Sequence, residues 1–329
     1  MSSKSLSAPG INQRLQAMNP KMTKRLFRLL AFGALLVICF FAYYRFSLQR
    51  PVGNGPAGPV VPTRAFEKSW SEKSILLIGF GDSVTAGFGA SKSHSYFERL
   101  VKNPENEFLE MKGISLSAVF PNLSATNLAL SGSTSLQHVK MQSSKLEKQP
   151  ADILGIVVLT TGGNDIIHNY GKTPAREGAM YGATFEQAKP WIANFETRLD
   201  EMLTNFRAMF PGGCHVFLAN IYDPTDGLGD ADKAGLPAWK DCTLILNAYN
   251  KTIERAAAKH SFVHLVNIHD EFLGHGIHST QFWRKNYRSE DPHYWYHMNL
   301  EDPNDRGYDA LRRLFLIEMA KVFQPEDSK

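Results

Sequence analysis

A set of short, unbroken apolar runs constrains this chain more than anything else in it: Ile75–Phe80 (ILLIGF), Ala125–Leu130, Ile153–Leu159 (ILGIVVL), Val216–Ile221 (VFLANI) and Phe262–Val266. A strand with one wet face alternates apolar and polar residues, whereas an unbroken run needs cover on both faces, as strands of parallel sheets have. Segments of helical period fall between and after the runs, at Ser95–Val101, Glu186–Met209, Leu244–Lys259 and Asn304–Phe323. This alternation predicts an α/β fold, a three-layer α/β/α sandwich of about five parallel strands. Such sheets bind ligands at the carboxyl ends of their strands, so the residues that follow each run are the candidates for chemistry.

A different kind of segment precedes the first run. Leu29–Tyr44 (LLAFGALLVICFFAYY) holds sixteen residues without a charge. A helix needs roughly 17–25 apolar residues to cross the hydrocarbon core, and Leu26–Arg28 extends the stretch into that range if Arg28 snorkels. The chain carries 36 Lys and Arg against 32 Asp and Glu, a net charge of +4, but eight of the basic residues and none of the acidic ones fall within residues 1–50. The body alone is therefore slightly acidic, which excludes a nucleic-acid partner and ties the basic residues to the apolar stretch. Lys21, Lys24, Arg25 and Arg28 lie before it, and only Arg45 and Arg50 soon after it. The positive-inside bias predicts a single-pass anchor with a cytoplasmic N-terminus and an extracytoplasmic body. No small-residue cleavage site follows Tyr44, which argues against a removed signal peptide. The expected organisation is a basic cytoplasmic leader (1–28), a transmembrane anchor (29–45), a Pro/Gly linker (46–65) and one catalytic domain (66–325). Of the three cysteines, Cys39 lies in the anchor, while Cys214 and Cys242 either pair or remain buried thiols.

Three of the strand ends carry small, polar turns. Gly79-Phe80-Gly81-Asp82-Ser83-Val84 closes the first run, Leu130-Ser131-Gly132-Ser133 the second, and Thr161-Gly162-Gly163-Asn164-Asp165 the third. A Gly-flanked Ser at a strand end suits a nucleophile whose backbone must approach its substrate closely. Each turn alone is a common structural element, but three in this order are specific.

Together they resemble the SGNH (GDSL-type) hydrolase superfamily, with Gly81-Asp82-Ser83-Val84 as the GDSL-like block, Asn127-Leu128-Ala129-Leu130-Ser131-Gly132 as the Gly block and Gly162-Gly163-Asn164-Asp165 as the third. The resemblance runs from about Ile75 to the last helix and implies an SGNH-hydrolase, flavodoxin-like sheet and hydrolysis of acyl esters without a cofactor. It implies Ser83 as nucleophile, with an oxyanion hole made by the N–H of Ser83, the N–H of Gly132 and the side-chain amide of Asn164. Asp82 is expected to orient its loop, and Asp165 to cap the next helix or brace the turn. The expected location and the aromatic loop point to a short-acyl or acetyl ester on a carbohydrate or envelope polymer, and the anchor, by placing the site near lipid, to a lipid ester as the alternative. A non-catalytic binding protein on a degenerate hydrolase fold is the remaining alternative.

The pattern breaks at the base. The family places Asp-x-x-His directly before the Pro-Asn start of the last helix, yet here Asn299 and Asp302 stand at those places before Pro303-Asn304. Asp302 followed by Pro303 reads as a helix N-cap. Five of the eleven histidines fall between His269 and His297 and offer a replacement. Gly276-Ile277-His278 resembles the family's Gly-x-His, which would make 279–302 an insertion. His293 is the rival, with Glu290 three residues and Asp291 two residues ahead of it, and His275 and His297 stand behind these two. No metal site is expected, since Gly274 and Gly276 break any helix that would align His275 with His278, and Asp223–Asp230 lacks the register of a calcium loop. The loops 168–183 and 281–299, the latter rich in aromatic residues, are expected to shape a pocket or to pack as a small satellite core.

Overall fold

The computed structural model describes residues 20–324 of the 329, apart from the side chains of Pro20, Met141 and Gln142. The chain divides into two compact units, Met1–Gln49 and Arg50–Lys329. In the first, a helix runs over Pro20–Tyr43, and within the 28 residues Lys21–Leu48 an 18-residue window has a mean hydropathy of 2.3 with none of it buried. It is long and apolar enough to cross a bilayer, a character that anchors and signal sequences share. The leader before Pro20 lies outside the described residues.

In the second unit five strands form one parallel sheet, β1 (Ser74–Gly81), β2 (Leu123–Asn127), β3 (Ile153–Thr160), β4 (Cys214–Ala219) and β5 (Val263–Val266), in the order β2-β1-β3-β4-β5. Side chains alternate across it, and both sides are covered. Leu77, Ile156, Val158 and Phe217 pack with Leu311, Phe315 and Met319 of the last helix, Asp305–Phe323. Ile78, Phe80, Val157 and Leu218 pack on the other face against Phe195, Leu199 and Phe206 of helix Phe185–Met209 and Ile245 and Tyr249 of helix Cys242–Lys259. The apolar runs were legible because each central strand is covered twice. The edge strand β2 departs from this, with Ser124–Asn127 exposed. It also ends three residues before the predicted Leu130, although Leu128 and Leu130 still donate N–H bonds to Gly79 and Gly81 at 2.7 and 2.9 Å.

The Pro/Gly segment is not a free spacer. Tyr294 N–H donates to Pro51 O at 2.7 Å, Ala57 N–H to Asp309 Oδ2 at 3.0 Å, and Arg306 Nη1 to the carbonyls of Asn54 and Gly55 at 3.1 and 3.0 Å. Ala57 and Val61 are buried against the last helix and its neighbours. Residues 50–62 are thus a strap on the body, a role that their lack of hydrophobic period conceals. In the segment 279–302 the aromatic residues Tyr294, Trp295 and Tyr296 enter the core with Phe272, while Phe282 and Trp283 stay exposed. These three rings join the main core on that face of the sheet and not a separate satellite cluster.

Candidate active site

β1 ends in Gly81, whose φ of +127° no side chain tolerates well. A Cβ there would stand 2.0 Å from the Thr160 carbonyl of the adjacent β3, so only glycine lets the two strand ends lie so close. The chain then turns into a single helical turn, Ser83–Ala86, capped by Asp82, which accepts the Val84 N–H at 3.2 Å and the Thr160 hydroxyl at 2.7 Å. Burial raises the Asp82 carboxyl to about 6, against the pull of the Thr160 bond. Asp82 orients the turn that presents Ser83, as expected.

The other two turns converge on it. Gly132 adopts φ +77° after β2, and its N–H donates to no backbone carbonyl among the described residues. The buried Asn164, at the end of β3, donates its amide to Ser133 O at 2.9 Å and lines the same cavity as Ser83. Beneath them the buried His138 bridges the Ser133 and Thr161 hydroxyls at 2.8 Å each, and burial lowers its pKa to about 3. It is a neutral strut between two turns. Asp165 accepts the N–H and hydroxyl of Ser135 at 2.8 and 2.5 Å, so it braces the loop.

Among the described residues neither His278 nor His293 bonds to Ser83, and each holds an acid elsewhere. His278 Nε2 bonds to Asp230 Oδ1 at 2.8 Å, in a turn whose N–H groups at Gly274, Gly276 and His278 all point at Asp226. His293 Nδ1 bonds to Asp291, which also holds Arg306, and its ring lies over Gly53 of the strap. Each histidine has an acid, but neither lines the cavity that holds Ser83. His275 stacks on Trp295, ring centroids 3.4 Å apart, and its Nδ1 bonds to His293 O at 3.0 Å.

Asp302 is what stands beside Ser83. Burial raises the Asp302 carboxyl above the usual carboxylate range, while the side chains of Ser83 and Asn299 and the nearby His297 pull it back. Asn299 Nδ2 donates to Asp302 Oδ2 at 2.6 Å, and Oδ1 of Asp302 is buried without a full hydrogen bond among the described residues. The expected N-cap role falls to Asn304 instead, whose side chain accepts the N–H groups of Arg306 and Gly307 at 3.0 and 3.1 Å. His297 packs against Phe88 and donates its backbone N–H to Asp302 O at 2.7 Å.

From Ser83 a cavity of about 140 Å³ opens between the loops that follow β3 and β4, lined by Ile166, Tyr170, Ile221, Leu236, Trp239 and Leu246 among others. Tyr170 was within reach of the sequence, on the loop after Asn164. Leu236 and Trp239 were not, because the irregular segment that carries them has no pattern to mark it. The Tyr170 and Tyr222 hydroxyls both bond to Glu301, one to its carboxylate and one to its carbonyl, tying the last segment across the cavity. Phe88 and Leu130, both exposed apolar residues, flank the Ser83 turn. Cys214 and Cys242 are free thiols, and Cys242 donates to Gly229 O at 3.3 Å. Among the described residues, no group of three or more His, Cys, Asp or Glu side chains is arranged to hold a metal ion.

No curated protein matches the chain. Among solved structures, an acetylxylan esterase from Geobacillus stearothermophilus is similar at 15% identity with a TM-score of 0.47, over 76% of this chain and 95% of its own. An extracellular lipase from Streptomyces rimosus is similar at 16% identity and a TM-score of 0.46, over 75% of this chain and 99% of its own. A phospholipase A1 from Streptomyces albidoflavus follows at 16% and 0.42, over 75% and 100%. The sequence model of the GDSL-like lipase/acylhydrolase family matches residues 80–310, from the end of β1 into the last helix. With the Ser, Gly and Asn turns inside that span, this chain belongs to the GDSL-like lipase/acylhydrolase family.

Proposed function

We propose that this protein is a serine esterase held at a membrane by its N-terminal helix, with the body on the extracytoplasmic side. Ser83 attacks the ester carbonyl, and the oxyanion is held by the N–H groups of Ser83 and Gly132 and the amide of Asn164. Donors fixed in place before the reaction stabilise the developing charge without reorganisation. The observation that carries this reading is that Ser83 and Asn164 open onto one apolar cavity at the carboxyl edge of the sheet. A binding protein has no need of a serine at the N-terminus of a helical turn beside a free glycine N–H and an asparagine amide.

The cavity also favours the lipid-like alternative over an acetyl ester. Its volume of about 140 Å³ far exceeds the ~30 Å³ of one water, and its walls are isoleucine, leucine, tyrosine and tryptophan. Such a space suits an acyl chain of several methylenes, each stabilised by about 0.8 kcal/mol on burial. Phe88 and Leu130 at the turn add apolar surface where such a substrate arrives. The test is hydrolysis of p-nitrophenyl acetate, butyrate and octanoate by the wild type and Ser83→Ala. Loss of all three in the variant, with kcat/KM rising from acetate to octanoate in the wild type, is the expected result. Activity that survives Ser83→Ala sinks the serine mechanism, and a preference for acetate returns the substrate to a short acyl ester.

A further inference from the structure

We propose that the body carries a lipid-docking surface of its own, the turn Phe282-Trp283-Arg284-Lys285, which lays the catalytic edge on an anionic bilayer. Docking does not depend on the esterase reading, and only the delivery of substrate from the bilayer to the cavity rests on it. Phe282 and Trp283 are 63% and 53% exposed, with ring centroids 5.0 Å apart and planes at 85°. Arg284 and Lys285 follow them and are exposed as well. Single apolar residues on a surface are ordinary. Two adjacent large aromatics beside two cations are the composition of a membrane interface, where rings sit at headgroup depth and cations meet lipid phosphates.

The turn is braced from below. Gln281 N–H donates to His278 O at 2.8 Å, Arg284 N–H to Gln281 O at 2.9 Å and Tyr287 N–H to Arg284 O at 3.2 Å. Arg284 Nε donates to Gln281 Oε1 at 2.9 Å, and Asn286 Nδ2 to Asp226 O at 2.9 Å, which ties the turn to the loop after β4. The carboxylates of that loop are engaged inward. Asp226 accepts the N–H groups of Gly274, Gly276 and His278, and Asp230 is bonded to His278. The charge that the turn presents to a surface is therefore positive.

The turn shares an edge of the sheet with the substrate cavity. Ile277 N–H donates to Pro224 O at 2.9 Å, and Pro224 lines the cavity that holds Ser83. Leu228, 43% exposed, follows in that loop, and a Cβ on the neighbouring Gly227 would stand 3.4 Å from Asn286 Nδ2. Phe88, Leu130 and Met298 add exposed apolar surface on the loops after β1, β2 and β5. Six of the ten large apolar side chains that residues 50–324 expose thus stand on loops that follow strands. A fluid lipid surface accepts side chains from separate loops at once, whereas a protein partner would need a matched pocket for each.

The path of the chain also favours lipid as the occupant. Tyr294 N–H donates to Pro51 O at 2.7 Å, and the Arg50 guanidinium lies 5.5 Å from the Tyr294 ring centroid. The covalent link from the apolar helix therefore enters the body on the segment that carries the aromatic turn. Wherever the helix is inserted, lipid is present at high effective concentration, so a weak second contact suffices to dock the body. An acyl ester carried in that bilayer then reaches the cavity mouth without first crossing water.

All five tryptophans lie in the body and none in the N-terminal helix, so quenching by lipid-borne bromine reads the body alone. The full chain is reconstituted in vesicles of phosphatidylcholine and phosphatidylglycerol, with and without bromine on the acyl chains. The wild type is expected to lose about one fifth of its emission, the share of one tryptophan in five, and Trp283→Phe to lose none of it. Arg284→Ala combined with Lys285→Ala keeps the reporter and should lower the ratio of docked to free body about fivefold per charge removed. These side chains are exposed, so melting temperatures should not change. Equal quenching in the wild type and Trp283→Phe overturns the proposal, and quenching indifferent to both charges overturns the anionic surface as the partner. Hydrolysis of soluble p-nitrophenyl butyrate should be the same in the wild type and Trp283→Phe. Its absence from the wild type would overturn the esterase reading and leave the quenching result standing.

Discussion

Asn164 and Gly81 contribute to the site in different ways, and their variants separate chemistry from folding. Asn164→Ala removes a donor from the proposed oxyanion hole and should lower kcat by about 10²–10³ with little change in KM. Steady-state kinetics on p-nitrophenyl butyrate check it, and an unchanged kcat means the amide serves only its bond to Ser133 O at 2.9 Å. Gly81→Ala acts on the backbone, because the new methyl meets Thr160 O at 2.0 Å. It should yield little folded protein, read by expression and circular dichroism. The Ser, Gly and Asn turns could be read from sequence because each is a local device of adjacent residues. Asp302 could not be read that way. Asp302-Pro303 has the composition of a helix start, and nothing local says that Asn304 wins the cap by adopting an extended φ of −85° and ψ of −178°. His278 and His293 pose the same problem in reverse. Acids close to them in space, Asp230 and Asp291, give them structural bonds that sequence proximity resembles but cannot distinguish from a catalytic pair.

The strands and long helices follow the apolar pattern to within two residues, except for β2, whose exposed edge relaxes the demand for apolar cover. What the pattern hides is the ionic joint between elements. On the last helix, Asp309 meets Arg99 at 3.1 Å, Arg312 at 2.7 Å and Arg313 at 3.1 Å, and it also accepts the strap's Ala57 N–H. Glu107 joins Arg99 at 2.7 Å and also pairs with Arg312, with side chains at most 2% exposed. No periodicity announces such a joint, because its members come from four segments. Breaking a buried network by removing one partner leaves charges uncompensated, so Asp309→Ala should cost about 3–5 kcal/mol, measurable by urea unfolding. Burial alone would raise Glu107, yet its bonds to Arg312 and Arg99 bring it down to about 2. A carboxylate depressed in this way stabilises the fold above its unfolded pKa. That stability should fade as pH falls from about 4.5 toward about 2, and Glu107→Gln should flatten this limb of the stability profile.

At the level of the chain, the strap decides where the body begins. A boundary set by composition would fall near residue 65, after the last of the prolines, whereas contacts place it at Arg50. Two truncations test this directly. Removing residues 1–49 should leave a folded esterase that no longer needs detergent, since the exposed apolar helix goes and every strap contact remains. Removing residues 1–62 also takes away the buried Ala57 and Val61 and the bonds to Tyr294, Arg306 and Asp309. The second loss amounts to ~3 kcal/mol, which at roughly 2–4 °C per kcal/mol lowers the melting temperature by about 6–12 °C. Differential scanning fluorimetry of the two proteins reads the difference. Equal melting temperatures would return the segment to the role of a spacer. A lower value in the shorter protein means that the strap, which the last helix and the segment ending at Asp302 both hold, belongs to the fold that positions the catalytic edge.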